Sequence, residues 1–297
     1  MAAVTHPIEN AAKSLLLPAL LLACGLVLVA VQLGAFTFAI RPATVASPET
    51  VVIPAGSFTY RPEGHFFRDE RAIDAPMMTV ELQPVAIMKY QVRLADYALC
   101  VAEGACEPAE PRLAGGGDVP VTGVNYEDAT TYAVWLSGRT GEHWELPTDR
   151  EWAYAAGQTF EAEALGIAAT DDPAALWLAK YEKEAARETD ASRVPQPLGS
   201  FGINANGIAD MGGNVWEWTQ TCHRRVHIDA ESTVLSEVPA CTIRVLDGQH
   251  RASMSFFIRD AKSGGCSVGI PPDNLGFRLV RRHSWLEQIL LAAGFGG

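Results

Sequence analysis

The stretch Gly207-Ile-Ala-Asp-Met-Gly-Gly-Asn-Val-Trp-Glu-Trp-Thr219 restricts the fold more than any other part of the chain. Tryptophan is large, and two of them within three residues imply that both rings are packed. Gly212 and Gly213 let the backbone turn sharply just ahead of them. Asp210 and Glu217 flank the turn, so an oxygen-rich loop leads into a buried aromatic strand. Two readings of the carboxylates stand side by side. Glu217 accepts hydrogen bonds from the turn amides, or the loop carbonyls and carboxylates gather around a hard cation such as calcium, which takes six to eight oxygens. The spacing is not that of an EF-hand.

Three further stretches follow a common order with this one. They are Val52-Ile-Pro-Ala-Gly-Ser-Phe58, Leu146-Pro-Thr-Asp-Arg-Glu-Trp152 followed by Tyr154-Ala-Ala-Gly157, and Asn274-Leu-Gly-Phe-Arg278. Together with Gly213-Asn-Val-Trp-Glu-Trp-Thr219 they resemble the formylglycine-generating enzyme (sulfatase-modifying factor) family, over roughly Val51 to Arg281. The resemblance implies an α+β fold of irregular, C-type-lectin-like type with little regular structure. It also implies calcium ligands at Asp210, Gly213, Val215 and Glu217, the first and last through their side chains.

The resemblance breaks where the family does its chemistry. Formylglycine-generating enzymes oxidise a cysteine of a substrate protein with copper and oxygen, and two cysteines five apart hold copper(I), a soft ion suited to thiolates. The matching run here is Asp247-Gly-Gln-His-Arg-Ala-Ser-Met-Ser-Phe-Phe-Ile-Arg259. Aligning Gly248 and Arg259 puts Ala252 and Phe257 at the cysteine positions. Neither binds a metal, and Met254 is one weak thioether, so copper is not expected. What remains is an altered pocket of His250, Arg251, Arg259 and Asp260. In one reading Arg259 and Asp260 pair to hold the loop. In the other His250 serves as acid and base, since its ordinary pKa lies near neutrality. Divergent family branches without the copper cysteines include a periplasmic siderophore-maturation type, accessory proteins of respiratory-enzyme maturation and a type acting on ergothioneine precursors; fold-level likeness alone assigns none of these.

Composition narrows the partners. The formal net charge of the 297 residues is −12, which argues against a nucleic-acid partner, because phosphate binding needs a basic surface. From Ser14 to Ile40 no residue is charged, longer than the roughly 20 residues that span a bilayer and than the hydrophobic region of a signal peptide. We read 1–13 as a cytoplasmic N-terminus, 14–40 as an uncleaved transmembrane anchor, 41–50 as a Pro/Ser/Thr tether, 51–283 as the globular domain and 284–297 as an amphipathic helix. Lys13 and Arg41 nearly cancel as orientation signals. Cys100 and Cys106 bracket a Gly-containing turn, a spacing that fits a short disulfide loop. Among Cys222, Cys241 and Cys266 one pair is open and one cysteine is left over. Disulfides imply an oxidising compartment, which places the domain on the periplasmic or extracellular side of the inner membrane, held there by its helix and facing a protein or small-molecule substrate.

Three functions are compatible with these residues: a divergent maturation enzyme, a non-catalytic binding or assembly module, and an active copper oxidase. Local patterns give the scaffold. Strands are expected at Val51–Tyr60 and Met78–Leu82, and helices at Val92–Val101 and Tyr126–Leu136, the second capped by Asn125. Thr148 and Glu151 form a capping box ahead of a helix stopped by Gly157, so Asp149 and Glu151 read first as helix N-terminal charges. Gly64–Pro76 reads as loop and His223–Pro239 as an irregular surface excursion.

Overall fold

The computed structural model describes residues 45–160, 194–263 and 274–282, with a few residues between 172 and 182. They belong to one compact unit, Val45–Gly297. The expected anchor at 14–40, the tail 284–297, Cys24 and Cys266 lie outside the described residues. Among the described residues no helix is long and apolar enough to cross a membrane.

The fold is mixed α and β. β1 (Thr50–Ile53), β6 (Val85–Met88), β7 (His143–Glu145) and β12 (Val280–Arg282) make one sheet in the order β1-β6-β12-β7. β2 (Gly56–Tyr60) and β5 (Met78–Leu82) pair alone. The larger sheet contains β3 (His65–Arg68), β4 (Arg71–Ile73), β8 (Trp216–Ile228), β9 (Val234–Asp247) and β10 (Ala252–Ser255) in the order β10-β9-β8-β3-β4, with β11 (Leu275–Gly276) parallel to β8. Val51–Tyr60 is thus two strands, split at Pro54, which has no N–H to give a ladder.

Among the described elements are the helices α1 (Leu94–Ala102), α2 (Tyr126–Thr140) and α3 (Asp149–Ala156). Both expected caps are present. Asn125 and Asp128 close one capping box, Thr148 and Glu151 the other, and each such cap is worth about 1 kcal/mol. Glu151 is also paired with Arg282, which outweighs its burial and holds its carboxyl below the usual range. α1 and α2 pack Tyr97, Tyr132, Leu136 and Cys100 against Trp218 and Phe277 in the main core; Trp152 and Ile87 anchor a second cluster between α3 and the first sheet.

Two segments depart from the sequence reading. Gly64–Pro76 contains the β3–β4 hairpin, turned by Asp69 and Glu70, both with positive φ (49° and 62°). His223–Pro239 is not irregular but forms the outer half of the long β8–β9 hairpin. Val226 and Ile228 are buried against Phe66, Ile73 and Ala75, and this small cluster docks the hairpin arm on β3. On the outer strand Val234, Leu235 and Val238 are exposed.

Candidate functional site

Three of the four motifs meet at one buried carboxylate, joined there by Gln91. Glu217, on β8, has no exposed surface. Its Oε2 accepts from Trp152 Nε1 of α3 at 2.8 Å and from Arg278 Nε at 2.6 Å. Its Oε1 accepts from Arg278 Nη2 at 2.7 Å and from Gln91 Nε2 at 2.9 Å. Arg278, equally buried, gives its remaining donors to the carbonyls of Met88, Lys89 and Ala209. A buried ion pair of this kind is stable because the guanidinium and carboxylate are bidentate and every remaining donor finds an acceptor.

Of the expected calcium ligands, Glu217 and the carbonyls of Asp210 and Gly213 lie together at this point. Gln91 Nε2 lies 3.5 Å from the Asp210 carbonyl and 3.1 Å from the Gly213 carbonyl as well as on Glu217. Its own Oε1 is buried without a partner. Amide oxygen and nitrogen are interchangeable by rotation. Turned over, Gln91 Oε1 joins the Asp210 and Gly213 carbonyls and Glu217 Oε1 around one point, an all-oxygen set suited to a hard cation. The Asp210 side chain is not part of that set. Its two oxygens accept from the backbone N–H groups of Gly199 and Phe201 at 2.6 and 2.8 Å, which ties down the preceding loop. Val215 lies between the two, its N–H bonded to the Gly213 carbonyl.

A second polar centre sits where α3 begins and β9 ends. Asp149, the first residue of α3, and Asp247, the last of β9, are both buried. Arg251 lies between them. Its Nη2 is 2.9 Å from Asp149 Oδ1 and its Nε 3.3 Å from Asp247 Oδ1. The first contact is close in distance yet poorly aligned, so it acts as charge pairing rather than as a hydrogen bond. Nη1 donates to the Arg61 carbonyl at 2.6 Å, and the guanidinium lies over the Phe160 ring at 4.8 Å.

Electrostatics set the protonation of this centre. Burial raises the carboxyl of Asp149, and Arg251 opposes it. Burial raises Asp247 well above its usual range, and the charge of Asp149 adds to that. The two carboxyls titrate as a pair, and both are held above the ordinary carboxylate range. Burial lowers the pKa of Arg251, and the carboxylates of Asp149, Asp247 and Glu63 outweigh it, so the guanidinium is held above its ordinary value. Burial, with the charge of Asp149, pushes the Tyr60 hydroxyl up to about 12.

The sequence-derived pocket is therefore rearranged. His250 is half-buried beside this centre, its ring edge-on to Trp216 at 5.2 Å and its Nδ1 3.2 Å from the Arg251 carbonyl. Arg259 does not join it. Its guanidinium binds both oxygens of Asp128 at 2.8 Å and Glu110 at 2.6 Å, which fixes the start of α2. Nor does it pair with Asp260, which lies 3.8 Å from Arg112. Asp149 is more than a helix-terminal charge, and its partner Asp247 was not singled out. The signal that would have found it is a lone aspartate ending an apolar run, Val245-Leu246-Asp247, four residues before an arginine.

The cysteines are largely committed. Cys100–Cys106 is a disulfide, as expected from its spacing, and Cys222–Cys241 is a second. Ala252 lies on β10 and Phe257 is exposed. Among the described residues no group of three or more His, Cys, Asp or Glu side chains is placed to hold a metal.

Comparisons with known proteins agree with the motifs. Residues 37–283 match the model of the sulfatase-modifying factor enzyme 1-like domain. The formylglycine-generating enzyme of Mycobacterium tuberculosis is 37% identical over 123 residues, 38% of each chain. The bovine protein named inactive C-alpha-formylglycine-generating enzyme 2 is 31% identical over 166 residues, covering 54% of this chain and 50% of that protein. The chain thus spans about half the length, or less, of these curated relatives. PvdO from Pseudomonas aeruginosa superimposes with a TM-score of 0.50 at 25% identity, over 80% of this chain and 95% of the other.

Proposed function

The chain belongs to the sulfatase-modifying factor enzyme 1-like family, and from that premise we propose that it is a divergent, membrane-anchored maturation factor that works outside the cytoplasm without copper. The observation that carries this reading is the replacement of the copper thiolates. Ala252 and Phe257 stand at their positions, and all four described cysteines are in disulfides. The scaffold here carries Asp149, Asp247 and Arg251, a buried carboxylate pair tied to one cation, with His250 half-buried beside it. Such a set moves protons and orients a bound protein or secreted metabolite. It supplies no electrons. The two disulfides support an oxidising compartment for the domain, and the uncharged run at 14–40 supports the anchor.

The test is direct. Full-length protein, offered cysteine-containing peptides with copper(I) and oxygen, is expected to form no aldehyde product detectable by mass spectrometry. Multiple-turnover conversion of cysteine to formylglycine would refute the reading. A reporter fused after Gly297 is expected to be active only on the outer side of the membrane.

A second reading has its own support. The bovine relative is named inactive, and Arg251 is tied to two carboxylates and a carbonyl rather than presented to solvent. On that reading the same surface holds a partner protein and does no chemistry.

We also propose calcium at the Glu217 cluster, held by Glu217 Oε1, the Asp210 and Gly213 carbonyls and Gln91 Oε1. There it would cross-link loop and strand. Chelation is then expected to lower the melting temperature. At a calcium excess of about 100 Kd the loss is about 2.7 kcal/mol, or roughly 5–10 °C for a domain of this size. Gln91→Leu should abolish the response. A wild-type protein indifferent to chelator would mean that Trp152, the Gln91 amide and Arg278 satisfy Glu217 without a metal.

A further inference from the structure

The two disulfides sit in opposite surroundings. Cys100 and Cys106, closing the turn after α1, are 0% and 7% exposed and lie in the main core. Cys222–Cys241 crosses the β8–β9 hairpin where the strand register slips on both sides of Cys222. Cys241 is exposed, whereas Cys222 is half-buried. Arg244 Nη1 lies 3.2 Å from Cys222 Sγ, and the same guanidinium is held by the Gln220 carbonyl at 2.7 Å and by the Tyr126 ring at 4.1 Å. The bond thus has one sulfur open to attack and one sulfur backed by a fixed cation.

We propose that Cys222–Cys241 is an exchange-active disulfide whose reaction partner is a thiolate arriving at Cys241. The incoming thiolate attacks Cys241 Sγ, and the Cys222–Cys241 bond breaks. A mixed disulfide forms on Cys241, while Cys222 leaves with the electron pair as a thiolate beside Arg244, later taking a proton from solvent. A nearby guanidinium stabilises a departing thiolate, and a better leaving thiol departs faster. If the partner carries a second thiol, its attack on the mixed disulfide releases the partner oxidised and leaves Cys222 and Cys241 as the reduced pair. The oxidant is the protein's own disulfide, one equivalent per chain. This inference stands apart from the function proposed above, since it uses neither His250 nor the Asp149–Asp247–Arg251 centre.

The strand next to Cys241 bears on the source of the thiol. β10 pairs with β9 only from Ile243 to Leu246, so β9 from Val234 onward has an open edge in the described residues. Leu235 and Val238 on it are 68% and 61% exposed. An extended polypeptide can use such an edge, whereas a small thiol cannot.

The test uses the full chain, exposed briefly to reduced glutathione at neutral pH, then alkylated and mapped by mass spectrometry. The expected products are a glutathione adduct on Cys241, alkylation on Cys222 and an intact Cys100–Cys106 bridge. Arg244→Met should slow the reaction roughly tenfold while Arg244→Lys keeps most of the rate. A parallel arm compares glutathione with a strand-length cysteine peptide at equal thiolate concentration. A faster peptide identifies polypeptide thiols as the source, and equal rates identify small thiols. An adduct on Cys222, loss of both bridges together, or a rate unchanged in both Arg244 variants overturns the proposal. Should Arg244→Met fail to fold, the position of the wild-type adduct still decides.

Discussion

Arg278→Met is expected to abolish folding of the domain at ordinary temperature. The variant leaves Glu217 charged and buried without its guanidinium, which costs about 3–5 kcal/mol, and removes the donors to three backbone carbonyls. Domains of this kind are stable by only about 5–15 kcal/mol in total. Glu217→Gln combined with Arg278→Met should recover much of the loss, because removing both charges of a buried pair is far cheaper than removing one. Thermal melts of the single and double variants check this. A single variant that melts with the wild type would show that Glu217 is balanced by another cation, and the metal proposed at Gln91 would be the first to examine.

Arg251→Met should produce a loss of similar size, about 3–5 kcal/mol near neutral pH, but with a distinct pH signature. Asp149 and Asp247 would then face each other without their counter-charge. Their folded-state carboxyls are already raised by burial. For a raised carboxyl the native state binds more protons than the unfolded chain. Its contribution to stability is fully present below the unfolded value and is lost as pH rises through the folded one. The Arg251→Met defect should therefore shrink in acid, from the ordinary carboxylate range downward, and be greatest at alkaline pH. Asp247→Asn should act oppositely. It mimics the protonated state, keeps an acceptor for Arg251 Nε, and should stabilise the protein at pH above the folded-state value, with no gain in strong acid. Denaturant midpoints across pH for the three proteins decide it. A pH-independent Arg251→Met defect would mean that the arginine contributes packing on Phe160 and not charge.

Much of the scaffold was legible because its signals are local. Asn125 and Thr148 start helices through bonds to residues three positions away, and Cys100–Cys106 closes across six. The motifs were legible as a set, although their common purpose was not. Trp152, Gln91 and Arg278 come from distant parts of the chain, and only the folded protein shows them converging on Glu217. The carboxylate pair escaped for the same reason, since Asp149 satisfies a helix-terminus rule that hides its contact with a residue almost a hundred positions away. Arg259 matches the family's arginine in the aligned run, but β10 and the turn after it carry it to Asp128 at the start of α2. The outer β8–β9 hairpin was missed because Val226 and Ile228 find their buried partners on distant strands, while Val234, Leu235 and Val238 are exposed.

The central claim is that this family member has given up copper chemistry, and copper(I) binding tests it most directly. Purified full-length protein, reconstituted in detergent and titrated with copper(I) against a competing chelator with its disulfides intact, should take up no stoichiometric tight copper. One tightly held copper(I) per chain, lost on Cys266→Ala or on replacing Cys222 and Cys241, would contradict the account and return the protein to the cysteine oxidases it resembles.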